Sequence, residues 1–273
     1  MGKAVSKEAW TADKLPESPV RVSNAAGRGR AIILCDHASN HIPAKFGTLG
    51  LSPIDLTRHI AWDPGALGVS NMLARLLDAP LVESCISRLI VDCNRPPNAP
   101  DLIPSISELT VVPANQQLDE AAIKERIALS HRPYHAAIED LIGEREREGF
   151  PAPVLVAVHS YTPVYRGVSR PWHIGIIHDA DTSIAAPLIE GLEQIEGLVV
   201  GDNEPYSPAD RVYYTLERHA SARRLSAVMI EIRNDLITTP HEEQVWAERL
   251  ALLLKPIIKK PLRGVRETPD RES

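Results

Sequence analysis

Short, mostly apolar runs alternate along this chain with longer stretches of helical periodicity. Ala31-Ile-Ile-Leu-Cys35 has no polar position, the pattern of a strand covered on both faces. Mostly apolar runs of similar length follow at Pro153–Val158, Trp172–Ile177 and Ala227–Ile232, the last two interrupted by His173 and Glu231, with shorter ones at Pro80–Ser84, Leu89–Asp92 and Leu198–Val200. Between them, period-3.6 spacing predicts helices over about Leu67–Leu77, Ser183–Gln194, Tyr213–Arg223 and His241–Leu254. Leu118–Gly149 reads as a long charged helical region with a break at Arg132-Pro133. A proline-rich stretch from Arg95 to about Asn115 reads as a long loop, a length that usually carries function. Alternating strands and helices predict an α/β fold, a mostly parallel central sheet with helices on both faces.

The 273 residues suffice for one such domain, and no linker divides them. We expect a loosely structured lead-in over 1–28, a single domain over 29–260 and a charged tail over 261–273. A net charge of −6 argues against nucleic-acid and anionic-membrane partners. No apolar run is long enough to span a membrane, and the first twenty residues lack a signal-peptide core. Met1-Gly2 with Ser6 is too little for a myristoylation signal. Cys35, Cys85 and Cys93 lie in apolar runs and form no CxxC pair, which suits buried free thiols in a reducing compartment, the cytoplasm.

The chemistry gathers at strand ends. Asp36-His37 follows the first strand, His159-Ser160 closes the second central one, and Glu231 lies near the end of the last. Sites in open α/β sheets form beyond the carboxyl ends of strands. A lone histidine is more often structural; two histidines and a glutamate at the same kind of position are not easily explained as packing. Two histidines and a carboxylate are a common zinc-hydrolase set, with a further carboxylate as proton shuttle. His37 and His159 fit the ligand role and Glu231 the shuttle. Asp63 is the candidate third ligand, His59 the alternative; the plain reading of Asp63 is a helix cap before Pro64.

Arginine forks suit carboxylates, so Arg88, Asn94 and Arg95, and further along Arg166, Arg170 and Asn234, are candidate binders of an anionic substrate. Against this stands an internal Arg88–Asp92 pair. His131 and His135, spaced i, i+4 around Pro133, read as a packing pair, and Trp62 and Trp172 as core or pocket wall. No GxSxG elbow or glycine-rich phosphate loop is present, which argues against serine-hydrolase and nucleotide chemistry.

His37-Ala-Ser-Asn-His-Ile-Pro43, Trp62-Asp-Pro-Gly-Ala66, Ser87-Arg-Leu-Ile-Val-Asp-Cys-Asn-Arg95, Val158-His-Ser160, Asn203-Glu-Pro-Tyr-Ser207, Tyr214-Thr-Leu-Glu-Arg-His219 and Ile230-Glu-Ile-Arg-Asn-Asp-Leu236 together resemble the N-formylglutamate amidohydrolase family, over about residues 30–255. The resemblance implies a phosphorylase/hydrolase-like fold, similar to zinc carboxypeptidases. It also implies one Zn2+ per chain and cleavage of the amide bond of a small anionic N-acyl amino acid. The order His37, Asp63, His159, Glu231 matches the ligand and shuttle order of those relatives, and Asn94-Arg95 resembles their carboxylate-holding pair. One departure stands out: carboxypeptidases carry His-x-x-Glu, and Asn40 occupies that place here. A zinc peptidase or N-acetylmuramoyl-alanine-type amidase is the alternative within enzymes. A non-catalytic small-carboxylate-binding protein is the alternative outside them.

Overall fold

The computed structural model describes residues 18–259; the start of the expected lead-in, with its Met1-Gly2 feature, and the tail over 261–273 lie outside the described residues. Strands β1 (Val20–Ser23), β2 (Ala31–Cys35) and β3 (Leu81–Ser84) are followed by a small hairpin, β4 (Ile106–Ser107) and β5 (Thr110–Val111). Then come β6 (Val154–Tyr161), a second small hairpin of β7 (Val164–Tyr165) and β8 (Val168–Ser169), β9 (Ile174–Ile177), β10 (Val200–Asp202) and β11 (Ala227–Arg233). Seven of these form one sheet in the order β1-β3-β2-β6-β11-β9-β10. The four central strands, β3, β2, β6 and β11, run parallel. β1 runs antiparallel at one edge, and β9 turns antiparallel to β11 with β10 parallel beside it.

Helices cover both faces. α1 (Ala66–Leu77), α4 (Ala185–Glu193) and α6 (Pro240–Lys259) pack on the face that carries Ile33, Val156 and Ile230. On the other face, α3 (Arg132–Arg147) and α5 (Tyr214–His219) cover Ile32, Leu155 and Met229, while α2 (Glu120–Arg126) leads into α3. β2 and β6 are buried along their whole length, which is why they read as unbroken apolar runs. No helix among the described residues is long and apolar enough to cross a membrane.

Three expectations need correction. Residues 20–23 belong to the fold as an edge strand whose half-exposed Val-Arg-Val-Ser pattern is weak in sequence. Leu89–Asp92 is not a strand. It is a turn whose Leu89, Ile90 and Val91 fill a small satellite core with Leu49, Leu102 and Val112. There the Ile90 and Asp92 amides donate to Ser87 and Leu102 carbonyls instead of to a sheet neighbour. Finally, Pro133 does not break the helix: a π-helical turn over Ile127–His131 precedes it and α3 continues directly. Wider turns of this kind absorb a residue that cannot donate.

Candidate metal centre and active-site cleft

Because β2, β6 and β11 are parallel, their carboxyl ends open on one edge of the sheet. β2 delivers Asp36 and His37 there, β6 delivers His159 and Ser160, and β11 delivers Glu231, directly opposite His159 in the strand register. Asp63 reaches the same place through the turn before α1. Its backbone N–H donates to the His37 carbonyl at 2.9 Å. Two residues on, Gly65 adopts φ +80°, and a Cβ there would sit 2.4 Å from the Ile237 carbonyl, so only glycine fits. Asp63 does not cap α1; its side chain turns inward to the histidines.

The geometry around Asp63 is convergent. His37 Nδ1 lies 3.3 Å and His159 Nδ1 2.9 Å from Asp63 Oδ2. The far nitrogens are each held by a separate buried carboxylate: His37 Nε2 by Asp92 Oδ1 at 2.7 Å, and His159 Nε2 by Asp36 Oδ2 at 3.0 Å. Arg88, which can only donate, places Nη1 3.0 Å from His37 Nδ1. In the neutral ring that contact places the lone pair on Nδ1 and the proton on Nε2, facing Asp92. A carboxylate behind a histidine is the usual device for orienting a metal-ligating ring and raising its basicity. Ligand atoms of His37, Asp63 and His159 all lie within 4.8 Å of one another, so the three could hold a metal ion. Two imidazoles whose Nδ1 atoms converge on one carboxylate oxygen, each backed by a further carboxylate, are a donor set that fits a divalent cation of the zinc type once Nδ1 is deprotonated.

Burial sets the remaining electrostatics. Burial alone would raise the Asp63 carboxyl, but the charges of Arg88 and His37 and a His159 hydrogen bond outweigh it and hold it well below the ordinary value. Burial opposes protonation of His159, yet its bonds to Asp36 and Asp63 raise its pKa well above normal. Glu231 is raised, first by burial and then by the charge of Asp63, with His159 opposing. It is 5% exposed, and its Oε2 has no hydrogen-bond partner. A buried carboxyl with a raised pKa is the condition that suits a general acid and base near neutrality.

The centre floors a cleft of about 250 Å³ lined by His37, Asp63, His159 and Glu231, with Arg88, Asn94, Arg95 and Arg166 on its walls. Arg88 pairs with Asp63 Oδ1 at 2.9 Å and donates to the His59 carbonyl, so an internal Arg–Asp pair does form, with Asp63 in place of Asp92. Arg95 is tied to Asp101 and to the carbonyls of Asn94 and Arg211. The Asn94 amide is engaged by backbone, its Oδ1 accepting from Thr215 N and its Nδ2 donating to Val212 O. Arg166, exposed at the tip of the β7–β8 hairpin, makes one long bond, 3.4 Å to the Glu108 carbonyl. His59 also lines the cleft beside this group, its Nε2 2.7 Å from the Ser160 carbonyl and 3.3 Å from Asp63 Oδ1, and it is not one of the three residues whose ligand atoms converge.

Arg170 and Asn234 are not among the residues lining the cleft. Arg170 is buried among the rings of Tyr161, Tyr165 and Tyr206, 4.5–5.5 Å from their centroids, and so props two tyrosines that do line it. Asn234 begins a short turn after β11. His131 and His135 are buried, their rings 4.4 Å apart, as a packing pair should be. Trp62 and Trp172 are half-buried, with Trp62 against the satellite core. All three cysteines are free and buried. Asp36 and Asp92 were not assigned a role beside the histidines by sequence reasoning. The one available signal was Asp36 immediately before His37.

Fold and site together give an α/β protein whose sheet edge brings two histidines and a carboxylate that could hold a metal ion beside a buried glutamate. The family model of N-formylglutamate amidohydrolase matches residues 29–238. A crystal structure of a gene product from Agrobacterium tumefaciens is similar at 44% identity and TM-score 0.86, covering 88% of this chain and 95% of its own. The crystal structure of N-formylglutamate amidohydrolase from Ralstonia eutropha JMP134 superposes with TM-score 0.69 at 19% identity, over 88% of this chain and 97% of its own, a likeness of fold. No curated protein matches the chain. The chain belongs to the N-formylglutamate amidohydrolase family and is a hydrolase of amide bonds.

Proposed function

We propose that this protein is a zinc-dependent amidohydrolase that cleaves the amide bond of a small anionic N-acyl amino acid, N-formylglutamate being the first candidate. The observation that carries the reading is the matched pair of buried histidines, each turning Nδ1 to Asp63 while Asp36 or Asp92 holds its Nε2. When bound by His37, Asp63 and His159, zinc would polarise the acyl carbonyl and acidify a water. Glu231, buried with one oxygen free of partners, takes the proton of the attacking water and passes it to the departing nitrogen. Arg88 lies beside the centre, where its guanidinium can stabilise negative charge developing on the acyl oxygen. Arg166, the arginine of the cleft wall with the weakest internal engagement, binds a substrate carboxylate at the mouth.

The test is a turnover screen following release of free amine from N-formyl- and N-acetyl-amino acids, set against dipeptides and muramoyl peptides. Preferential turnover of an N-acylated acidic amino acid supports the reading. Preference for peptides would transfer the site to peptidase chemistry, and no turnover with zinc bound would contradict it.

A further inference from the structure

The two carboxylates behind the histidines are not independent. Asp36, 1% exposed, uses Oδ2 for His159 Nε2 and Oδ1 to accept the Thr215 hydroxyl at 2.5 Å. Asp92 Oδ1 accepts from His37 Nε2 at 2.7 Å and from the backbone N–H of Asn94 at 2.8 Å. Asn94 Oδ1 in turn accepts the backbone N–H of Thr215 at 3.0 Å. Thr215 therefore stands where both branches meet, its hydroxyl serving the His159 branch and its amide the His37 branch. It lies in α5, far in sequence from either histidine, and is fully buried. Nothing in the cleft touches it, since Thr215 is not among the lining residues.

Asp36 has both oxygens fixed and cannot rotate without losing a hydrogen bond, while Asp92 is held at Oδ1 alone, by His37 and by the backbone N–H of Asn94. Loss of a buried bond to a charged group is costly, because its partner stays desolvated. We propose that Thr215, with Asn94, is a positioning residue that ties Asp36 and Asp92 together and so sets the direction in which both histidine Nδ1 atoms point. This rests on the metal-centre reading above, and it gives Asn94 a task other than contact with substrate. The side chain of threonine at 215 supplies a hydroxyl in a closed space, which valine matches in shape but not in chemistry.

The experiment measures the dissociation constant for zinc by competition with a chromophoric chelator, for the full chain and for Thr215→Val, Thr215→Ser and Asn94→Ala, alongside melting of the metal-free proteins. Removing an outer partner of a ligating histidine typically weakens metal binding about 10- to 100-fold. Thr215→Val and Asn94→Ala, one bond further out than Asp36 and Asp92, are expected to weaken zinc about five- to tenfold, and Thr215→Ser to stay within about twofold of the parent. The metal-free melting temperature of Thr215→Val should fall below that of Thr215→Ser, because Asp36 Oδ1 loses its buried partner, so zinc affinity is compared at a temperature where each variant is folded. Zinc affinity in Thr215→Val and Asn94→Ala equal to the parent's overturns the proposal, as does a Thr215→Ser variant as weak as the valine. If Thr215→Val does not fold, Asn94→Ala decides: weaker zinc binding supports the tie, whereas a raised KM with unchanged zinc affinity returns Asn94 to the substrate and overturns it. An unsubstituted chain that binds no divalent ion would instead fail the metal-centre reading itself, and the tie with it.

Discussion

Glu231 and His159 face each other across neighbouring parallel strands, Cα partners in the register of β11 and β6. A ligand candidate and the candidate proton carrier are thus fixed by one backbone ladder, at the edge where Asp63 and His37 also arrive. Sheet register, rather than a mobile loop, determines the spacing between them, and such elements hold sites more tightly than loops do.

That arrangement separates binding from proton transfer. Glu231→Gln keeps the shape of the cleft and removes no hydrogen bond to the three ligand candidates. We expect metal content to be unchanged and kcat to fall about 100- to 10,000-fold, the usual worth of a positioned acid or base. Turnover within a few-fold of the parent would remove Glu231 from the chemistry.

Asp36 and Asp92 should matter for the metal rather than for substrate. Asp36→Asn and Asp92→Asn each remove a charge that holds an imidazole Nε2. Zinc affinity is expected to drop about 10- to 100-fold in each. Titration against a competing chelator checks this, and unaltered affinity in both would leave the carboxylates without the orienting role.

The sequence makes the strand-end residues legible because fully covered parallel strands are the strongest local signal, and His37, His159 and Glu231 sit at their ends. Asp63 was placed by its segment's position between them. What is illegible is every relation closed by long-range contact. Asp36 meets His159 across 123 positions and Thr215 across 179, and no periodicity reports such a meeting. Leu89–Asp92 shows the other limit: an apolar run of strand length fills a satellite core just as well. Arg170 and Arg166 look alike in sequence, yet one is stacked among tyrosines and the other lines the cleft.

Arg166→Ala should reveal the carboxylate site. Arg95 and Arg88 are engaged internally, whereas Arg166 has a single 3.4 Å bond. We expect KM for an anionic N-acyl amino acid to rise about tenfold, the scale of a charge-assisted bond, with kcat nearly unchanged. Steady-state kinetics with and without the substrate's side-chain carboxylate checks this, and an unchanged KM would contradict it.

A second buried pair gives the protein an acid sensitivity of its own. His135 Nδ1 and His219 Nε2 are 2.8 Å apart. Burial, reinforced by neighbouring histidines and Arg218, lowers His135 to about 2; burial with Arg218 lowers His219 to about 4. Unfolded histidine titrates near about 6.5, so the unfolded chain binds protons first as pH falls. Their contribution is fully present above about 6.5 and is lost progressively as pH falls from there through the folded values. For each histidine the loss between pH 6.5 and 5 is on the order of 2 kcal/mol. Urea unfolding at both pH values should show a smaller loss in His219→Asn than in the parent, and equal losses would refute this.

The central claim is tested most directly by metal content, measured by elemental analysis on the purified protein beside His159→Ala, each after loading with zinc and removal of the excess. We expect about one zinc per chain in the parent, as a single three-ligand centre requires, and its loss in the variant. A parent that retains no divalent ion, or a variant that keeps its full complement, would contradict the account.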